Sequence, residues 1–424
     1  GLVTDCHCSQ LFDVAASWSS LPSIDAHTYF MHPISGRPTR VDQQSSISQL
    51  AGCFAAVNSS RIAGRPFGIG EYFYAWFNQY QYEQPLTFGA YAALNNYSAL
   101  EIYGSPAVEL KVNTHIFNDR LYEFNLANSG VMRGGEFITS MLFRRGDVKP
   151  AGHKLRLYIP NRFLSEKGNW LKAVNYQQNK LGILSDFSVI FPELPLPDGL
   201  EMPSGGDLNF LPAGSSEVNA QEWFSSVVES SQTEFSMKDA VSKMREKGIL
   251  SANNITNVEK NIYQSETEEL TLYGNEKKMT VITPKTEAVA RPASEQPVKL
   301  GALTVRRSSA DAMIAATAVD NVALEDSRRI VLVISTRNVN NNMKTSADGI
   351  TELERGTAPV LYRTGQYELA LKNKNSHFKC YALNLAGDRT QELPVQYENG
   401  QLVVKLDTSA LKNGPTPFFE FVTK

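Results

Sequence analysis

Strand and helix patterns alternate at short intervals in the first hundred residues, and this order limits the fold more than any other feature of the chain. Strands are predicted at Pro22–Phe30, Phe67–Gly70 and Ser98–Tyr103, with helices between them at Ser45–Ser59 and Tyr82–Asn95. A strand followed by a helix and then by another strand is typical of parallel pairing with right-handed crossovers. We therefore expect a parallel sheet whose functional residues gather where strands end and helices begin.

Glu71 follows the second of these strands directly and opens a stretch that is rich in aromatic residues. Burial of a carboxylate without a partner penalises its charged form, so an acid among rings indicates a functional group. Acids combined with flat rings, which stack on the apolar faces of pyranoses, are typical of sugar-processing sites. The other interpretation is an N-capping or salt-bridged carboxylate at an ordinary strand-to-helix corner. The rings concerned are Tyr72, Phe73, Tyr74, Trp76, Phe77, Tyr80 and Tyr82.

Two more helices are predicted before residue 150, and the pattern then changes. The helices are Glu109–Leu126 and Gly134–Arg145, the second of which is stopped by Gly146-Asp147. From Lys154 onward, Leu155, Leu157 and Ile159 alternate with polar residues, which predicts antiparallel strands. A Pro/Gly-rich loop at Pro192–Pro212 and a helix at Ala220–Leu250 follow.

The chain is rich in strands from Glu269 to its end. The segment ELTLYGNEKKMTVITP predicts a hairpin with its turn at Gly274-Asn275. Many short strands at regular spacing predict a β-sandwich. Further strands are predicted around Val298–Val305, Met313–Val319, Arg329–Thr336, Tyr367–Leu371, Phe378–Leu383, Leu402–Leu406 and Phe418–Val422.

Charge and cysteine content exclude several classes of partner. The formal net charge is −3 and Lys and Arg are scattered, so no basic field favours nucleic acid or anionic lipid. No apolar stretch is long enough to predict a membrane span. The spacing of Cys6-His7-Cys8 does not match a zinc knuckle, and no second Cys/His pair follows. We therefore expect small buried cysteines and no metal or other cofactor.

Three segments taken in order resemble the second half of a glycosidase barrel: SIDAHTYFMHP, RPFGIGEYFYAWFNQYQYE and AYAALNNYSALEIY. The resemblance is to retaining enzymes of the cellulase/β-galactosidase-like superfamily. Two later segments, LFRRGDVKP and SRRIVLVISTRNVNNNM, resemble the β-rich C-terminal part of such bacterial glycosidases. The resemblance implies an α/β plus all-β fold, in which residues 1–150 form the C-terminal half of a (β/α)8 TIM-type barrel. An antiparallel β-sandwich would occupy residues 151–424, with a Pro/Gly-rich loop and helical insertion at about 186–260.

The same resemblance implies a carbohydrate substrate, a secreted or periplasmic location and a role for each matching residue. Glu71 would be the nucleophile, and Tyr29 is the best candidate to donate a hydrogen bond to it. Retaining hydrolysis also needs an acid/base carboxyl roughly 5–5.5 Å from the nucleophile. For each substrate-binding candidate, the other interpretation is plain packing in the core. These candidates are His27, Tyr29, Tyr72, Trp76, Asn78 and Tyr80.

This chain departs from the family pattern at the acid/base. In such barrels that Glu follows an Asn at the end of an earlier strand, and no Asn-Glu pair precedes Glu71. The chain is therefore expected to be the C-terminal piece of a longer enzyme, or a diverged protein that kept half of the site. About four barrel strands cannot close an eight-stranded barrel, which favours self-association or pairing with a missing N-terminal half. The local acids Asp5, Asp25, Glu83 and Glu101 lack the expected context.

Two functions without catalysis stay open. The first is a carbohydrate-binding or scaffold protein derived from a glycosidase, in which aromatic side chains such as Trp76 bind sugar. The second is an interaction module whose β-sandwich docks a partner.

Overall fold

The computed structural model describes residues 6–7, 16, 18–34, 38–104, 120–161, 163–164, 177–212, 228–229 and 235–423. Within these ranges the strands form two parallel four-stranded sheets, antiparallel sheets of nine and five strands, and two short two-stranded pairs. The strands in the described ranges form no closed barrel. Asp5 and Cys8 lie outside the described residues.

The first sheet is parallel and its strands lie in chain order. It contains β1 (Cys6–His7), β2 (Ile24–Phe30), β3 (Phe67–Tyr74) and β4 (Ala99–Ile102). The predicted parallel pairing of the three strands from residue 22 onward is confirmed. Strand β3 runs four residues beyond its predicted end at Gly70, because the aromatic residues after Gly70 continue the extended backbone.

Helices cover one face of this sheet. They are α1 (Gly52–Val57), α2 (Tyr91–Leu94) and α3 (Gly130–Thr139), with 3-10 turns at Asn58–Ser60 and Gln81–Glu83 and π-helical segments at Pro85–Ala90 and Ser140–Arg144. Helix α1 begins seven residues after the predicted start because Leu50 and Ala51 adopt positive φ angles. Helix α3 begins earlier than predicted, where the Ser129 hydroxyl accepts a hydrogen bond from the amide of Met132 at 3.1 Å. Of the helix predicted at Glu109–Leu126, residues 109–119 lie outside the described ranges and residues 120–126 form a loop with a turn at 123–124.

The second parallel sheet corrects the prediction of antiparallel strands after Lys154. Its spatial order is β6 (Asp186–Ile190), β5 (Lys154–Tyr158), β7 (Leu208–Phe210) and β8 (Val228–Glu229), and all its pairs are parallel. Polar Arg156 between two leucines predicts that one face of β5 is exposed. The Arg156 guanidinium is instead buried and donates to Asp186 Oδ1 at 3.0 Å. Both faces of β5 are therefore covered, as is usual in parallel sheets. The predicted loop Pro192–Pro212 contains β7.

The helix predicted at Ala220–Leu250 is shorter in the structure. Helix α4 covers Met237–Glu246, and β8 lies within the predicted span. The remaining residues of that span from 220 to 234 lie outside the described ranges.

Residues 262–423 form the two large antiparallel sheets. Their side chains share one apolar core, to which Leu303, Leu332 and Phe421 contribute, as the facing sheets of a sandwich do. The hairpin predicted at Gly274-Asn275 is confirmed: Leu270–Tyr273 pairs with Lys278–Ile282, and a 3-10 turn at Gly274–Glu276 joins the two strands. In spatial order the nine-stranded sheet contains β23 (Arg389–Leu393), β22 (Lys379–Leu383), β26 (Phe418–Val422), β16 (Arg329–Ser335), β15 (Ala312–Ala318), β12 (Thr286–Arg291), β11 (Lys278–Ile282), β10 (Leu270–Tyr273) and β9 (Ile262–Gln264). The five-stranded sheet contains β13 (Val298–Lys299), β14 (Leu303–Ser308), β21 (Gln366–Lys372), β25 (Gln401–Asp407) and β24 (Gln396–Glu398).

The seven further strands predicted in this region are also present, with the first one split into β13 and β14. A projection that we call the β-arm, residues 338–362, leaves the nine-stranded sheet. It pairs β17 (Asn338–Asn341) with β20 (Thr357–Tyr362), and β18 (Lys344–Thr345) with β19 (Glu352–Glu354).

The segment LFRRGDVKP fastens the helical layer to the nine-stranded sheet. Arg145 Nε donates to Asp147 Oδ1 at 2.8 Å, and Arg145 Nη1 donates to the carbonyl of Ala318 at 2.6 Å. The hydroxyl of Thr286, on β12, donates to Asp147 Oδ2 at 2.6 Å. One apolar core also extends from Trp18 to Val333, across the domain boundary that the sequence predicts near residue 150.

Candidate active site

A β-bulge in the middle of β3 decides which way Glu71 points. In the register with β2, Ala26 faces Ile69 but His27 faces Glu71, so Gly70 is an extra residue. Before the bulge Ile69 lies in the helix-side core, and after it Tyr72 does. Because successive strand residues alternate between faces, the extra residue turns Glu71 toward the opposite, open face. Glu71 is thus the fifth of eight residues in β3 and does not end the strand as predicted.

The same open face receives alternate side chains from β2. Ile24, Ala26 and Phe30 lie in the helix-side core. Asp25 and His27 line the open side, and the hydroxyl of Tyr29 reaches Glu71 there. The period-two spacing of the sequence IDAHTYF explains this division of the strand.

Glu71 Oε2 is contacted by two of the predicted residues. The hydroxyl of Tyr29 donates a hydrogen bond to this oxygen. His27 Nδ1 lies 3.2 Å from the same oxygen, and His27 Nε2 lies 3.8 Å from Asp25 Oδ2. The His27 side chain is 9% exposed, whereas that of Glu71 is 31% exposed. The carboxylate is therefore oriented by neighbours on β2 and still reaches solvent.

The open face forms a cleft of about 420 Å³ beside Glu71. Its floor is made by residues with little or no side chain, which leaves room above the sheet. Carboxylates lie along it on three neighbouring strands. Among its lining residues are Asp25, His27, Gly68, Gly70, Glu71, Ala99 and Glu101.

A group of rings, which we call the aromatic cluster, continues this face toward the C-terminal ends of the strands. The ring centroids of Tyr29 and Tyr103 are 5.8 Å apart, and Phe124 lies 5.3 Å from each of them. Tyr103 is 41% exposed. The cluster comprises Tyr29, His32, Phe73, Tyr103 and Phe124.

Four of the predicted site residues lie away from the cleft. Tyr72 stacks on Phe88, with centroids 4.6 Å apart, and its hydroxyl donates to Glu136 at 2.8 Å. Trp76 is buried and donates from Nε1 to the carbonyl of Asn338 at 3.2 Å.

The other two of these residues, Asn78 and Tyr80, bind backbone groups and a lysine of the antiparallel region. Asn78 Nδ2 donates to the carbonyl of Asp42 at 2.9 Å, and its Oδ1 accepts from the amide of Tyr80 at 2.7 Å. The hydroxyl of Tyr80 accepts a hydrogen bond from Lys277 at 2.8 Å. Of the seven predicted residues, the structure brings together Glu71, His27 and Tyr29.

Among the local acids, Glu83 is fully buried and does not line the cleft. The hydroxyl of Ser45 donates to Glu83 Oε1 at 2.7 Å, and the amide of Ile47 donates to Oε2 at 3.0 Å. Burial raises the pKa of Glu83 to about 8. Its bonds hold the segment before α1, which indicates a structural carboxyl.

Two contacts were missed by sequence reasoning. Asp25 Oδ1 accepts a hydrogen bond from the amide of Gly70 on β3 at 2.6 Å, and the ring of Phe124 lies beside that of Tyr29. The first could have been found, because Asp25, His27 and Tyr29 recur at every second position of a strand. The second joins residues almost a hundred positions apart, and no local pattern signals it.

The described residues contain no group of three or more His, Cys, Asp or Glu side chains placed to hold a metal ion. Cys53 and Cys380 are buried and free, and burial raises the pKa of each thiol to about 12. Within the same ranges, no helix has the length and apolar character of a membrane span. In the comparisons with known proteins, no family model matches the sequence and no curated protein matches it.

Proposed function

We propose that this chain carries the nucleophile of a retaining glycoside hydrolase that acts on O-glycosidic bonds in an oligo- or polysaccharide. The observation that carries the proposal is the position of Glu71, whose carboxylate reaches an open cleft while Tyr29 and His27 contact one of its oxygens. A glycosidase nucleophile must be oriented toward the anomeric carbon and accessible to it. The exposed ring of Tyr103 provides a flat surface near this position on which a pyranose could stack.

The first sheet supports the finer assignment of residues 1–150 to half of a (β/α)8 barrel. Its parallel strands lie in chain order, helices cover one face, and the polar groups gather on the other face. In a barrel that other face would point into the interior, and the substrate would bind at the C-terminal ends of the strands. The two antiparallel sheets that share a core would form the accessory sandwich.

The second carboxyl of the mechanism is not assigned to any acid among the described residues. Asp25 is engaged with the backbone of β3, and Glu83 is buried away from the cleft. Glu101 lies within β4 and lacks the preceding Asn that the family pattern gives the acid/base. We therefore expect little turnover of natural glycosides by this chain, because their leaving groups need a proton donor. Attack by Glu71 on a sugar with an activated leaving group needs no such donor.

The test is covalent trapping of the nucleophile. The protein is incubated with dinitrophenyl 2-deoxy-2-fluoro-glycosides of glucose, galactose, mannose and xylose, and its intact mass is measured. The Glu71 oxygen should form a bond to the anomeric carbon as the bond to the dinitrophenolate leaving group breaks. We expect one fluoro-sugar adduct, placed on Glu71 by peptide mapping and absent from Glu71→Gln. The matched control is Glu101→Gln, an acid of the same cleft, which should still be labelled. Failure of all these reagents to label the wild-type protein would refute the proposal.

The exposed ring of Tyr103 also favours a second function, carbohydrate binding without catalysis. In that case sugar binding, measured by calorimetry against oligosaccharide panels, would survive Glu71→Gln and be lost in Tyr103→Ala. No covalent adduct would form on the wild-type protein.

A further inference from the structure

The bulge that aims Glu71 has its own anchor, which is the side chain of Asp25. Gly70 is paired with no residue in the register of β3 with either β2 or β4. Its amide instead donates to Asp25 Oδ1 at 2.6 Å. A bulge leaves one backbone group outside the ladder, and here a carboxylate on the neighbouring strand accepts it.

The space around Gly70 fits this contact closely. A Cβ atom placed on Gly70 would lie 2.5 Å from Asp25 Oδ2 and 2.8 Å from Oδ1. No real side chain tolerates such distances, so Gly70 allows Asp25 to approach the backbone. The small residue and the carboxylate thus form one unit at the bulge.

The other oxygen of Asp25 faces His27. Asp25 Oδ2 lies 3.8 Å from His27 Nε2, and the opposite ring nitrogen lies 3.2 Å from Glu71 Oε2. The imidazole is therefore flanked by two carboxylates, one on each of two strands. Asp25 has contact with both determinants of the Glu71 position, which are the bulge and the His27 ring.

We propose that Asp25 is a positioning residue for Glu71. Its carboxylate holds the amide of Gly70, so that the bulge turns Glu71 into the cleft, and it faces His27 on the side opposite Glu71. The catalytic part of this inference depends on the proposed function, whereas the anchoring of the bulge does not. The residue acts through Gly70 and His27 and takes no covalent part in the reaction.

The first measurement uses the wild-type protein labelled with carbonyl-¹³C isoleucine and ¹⁵N-glycine. Ile69-Gly70 is the one Ile-Gly step in the sequence, so the Gly70 amide gives the one signal coupled to both labels. An amide bonded to a carboxylate should be shifted downfield and protected from hydrogen exchange. An unshifted, rapidly exchanging Gly70 amide would overturn the proposal without any variant. This readout is independent of sugar chemistry.

The second measurement compares Asp25→Ala with Asp25→Asn. Asn keeps an acceptor oxygen for the Gly70 amide, whereas Ala has none. In Asp25→Ala we expect the Gly70 signal to lose its shift and the rate of fluoro-sugar labelling at Glu71 to fall about 10- to 100-fold. Asp25→Asn should keep the amide shift and restore most of the labelling rate. Equal loss in both variants, or loss in neither, would contradict the positioning role.

The two proposals can fail separately. Absence of labelling in the wild-type protein refutes the glycosidase function, and the Gly70 amide still decides whether Asp25 anchors the bulge. If the wild-type protein is labelled and Asp25→Ala is labelled at the same rate, the inference on Asp25 alone is refuted.

Discussion

Asn340 and Leu121 form a two-way amide pair between the β-arm and the loop beside the cleft. Asn340 Oδ1 accepts from the amide of Leu121 at 2.7 Å, and Asn340 Nδ2 donates to the carbonyl of Leu121 at 2.9 Å. Arg355, on the same arm, pairs with Glu123 two residues further along the loop. The loop continues into Phe124, a member of the aromatic cluster. A projection of the antiparallel region therefore supports a ring that lies next to Tyr29.

Replacing Asn340 with Ala should destabilise the protein by about 2 kcal/mol, because it leaves the buried backbone groups of Leu121 without partners. Denaturant unfolding measures this loss. Asn253→Ala is the matched control, since Asn253 is exposed, and its free energy of unfolding should change by less than about 0.5 kcal/mol. Equal effects of the two substitutions would show that the amide pair contributes little.

Trp76 and Tyr103 should respond to truncation in opposite ways. Trp76 is 1% exposed and packs against Val41 and Leu121, so Trp76→Ala should cost about 3–5 kcal/mol of unfolding free energy. Tyr103 is 41% exposed, so Tyr103→Ala should change stability little and reduce sugar labelling or binding instead. Thermal unfolding and labelling of both variants test this division. Unchanged stability in Trp76→Ala, or unchanged sugar recognition in Tyr103→Ala, would contradict it.

Local patterns were sufficient to predict the parallel strands of the first sheet and the meeting of Glu71 with His27 and Tyr29. Local patterns failed where a distant contact or a change of strand register decides which way a side chain points. Tyr72 follows Glu71 directly, and neighbouring strand residues point to opposite faces, so its distance from the cleft could have been predicted. Trp76 is different, because the carbonyl of Asn338 that accepts its hydrogen bond lies 262 positions away.

Buried charge also misled the sequence reasoning. Arg156 alternates with leucines as an exposed residue would, yet it is buried against Asp186, which also pairs with Arg61. No pattern within the strand shows that a partner carboxylate covers this position. The parallel character of the second sheet could therefore not be predicted from periodicity alone.

Glu83 should make stability depend on pH between about 5 and 8. Burial raises its pKa from 4.5 to about 8, and the hydrogen bonds from Ile47 and Ser45 only partly oppose this effect. Across this range the folded protein keeps a proton that the unfolded chain has released, so the free energy of unfolding falls as pH rises. Glu83→Gln removes this contribution to the pH dependence. The free energy of unfolding of the wild-type protein relative to that of the variant should therefore decline from pH 5 to pH 8.

Urea unfolding at several pH values measures that relative stability. The control is Glu259→Gln, because the exposed Glu259 has a pKa lowered by Lys238 and titrates below this range. Its difference from the wild-type protein should stay constant from pH 5 to pH 8. A constant difference for Glu83→Gln as well would show that the buried carboxyl is not held protonated in the folded protein.

Tyr29→Phe should slow the labelling of Glu71 by about 10- to 100-fold, if Glu71 is the nucleophile as we propose. The substitution keeps the ring in the aromatic cluster and removes only the hydroxyl that donates to Glu71 Oε2. A donor to the carboxylate helps to fix its direction of attack, and loss of one charge-assisted hydrogen bond corresponds to about 1.5–3 kcal/mol. Tyr103→Phe is the matched control, since it removes a hydroxyl from another ring of the same cluster and should leave the labelling rate within about twofold. If the two variants are labelled at the same rate, the hydroxyl of Tyr29 does not orient the nucleophile, and His27 would be left as the group that holds it.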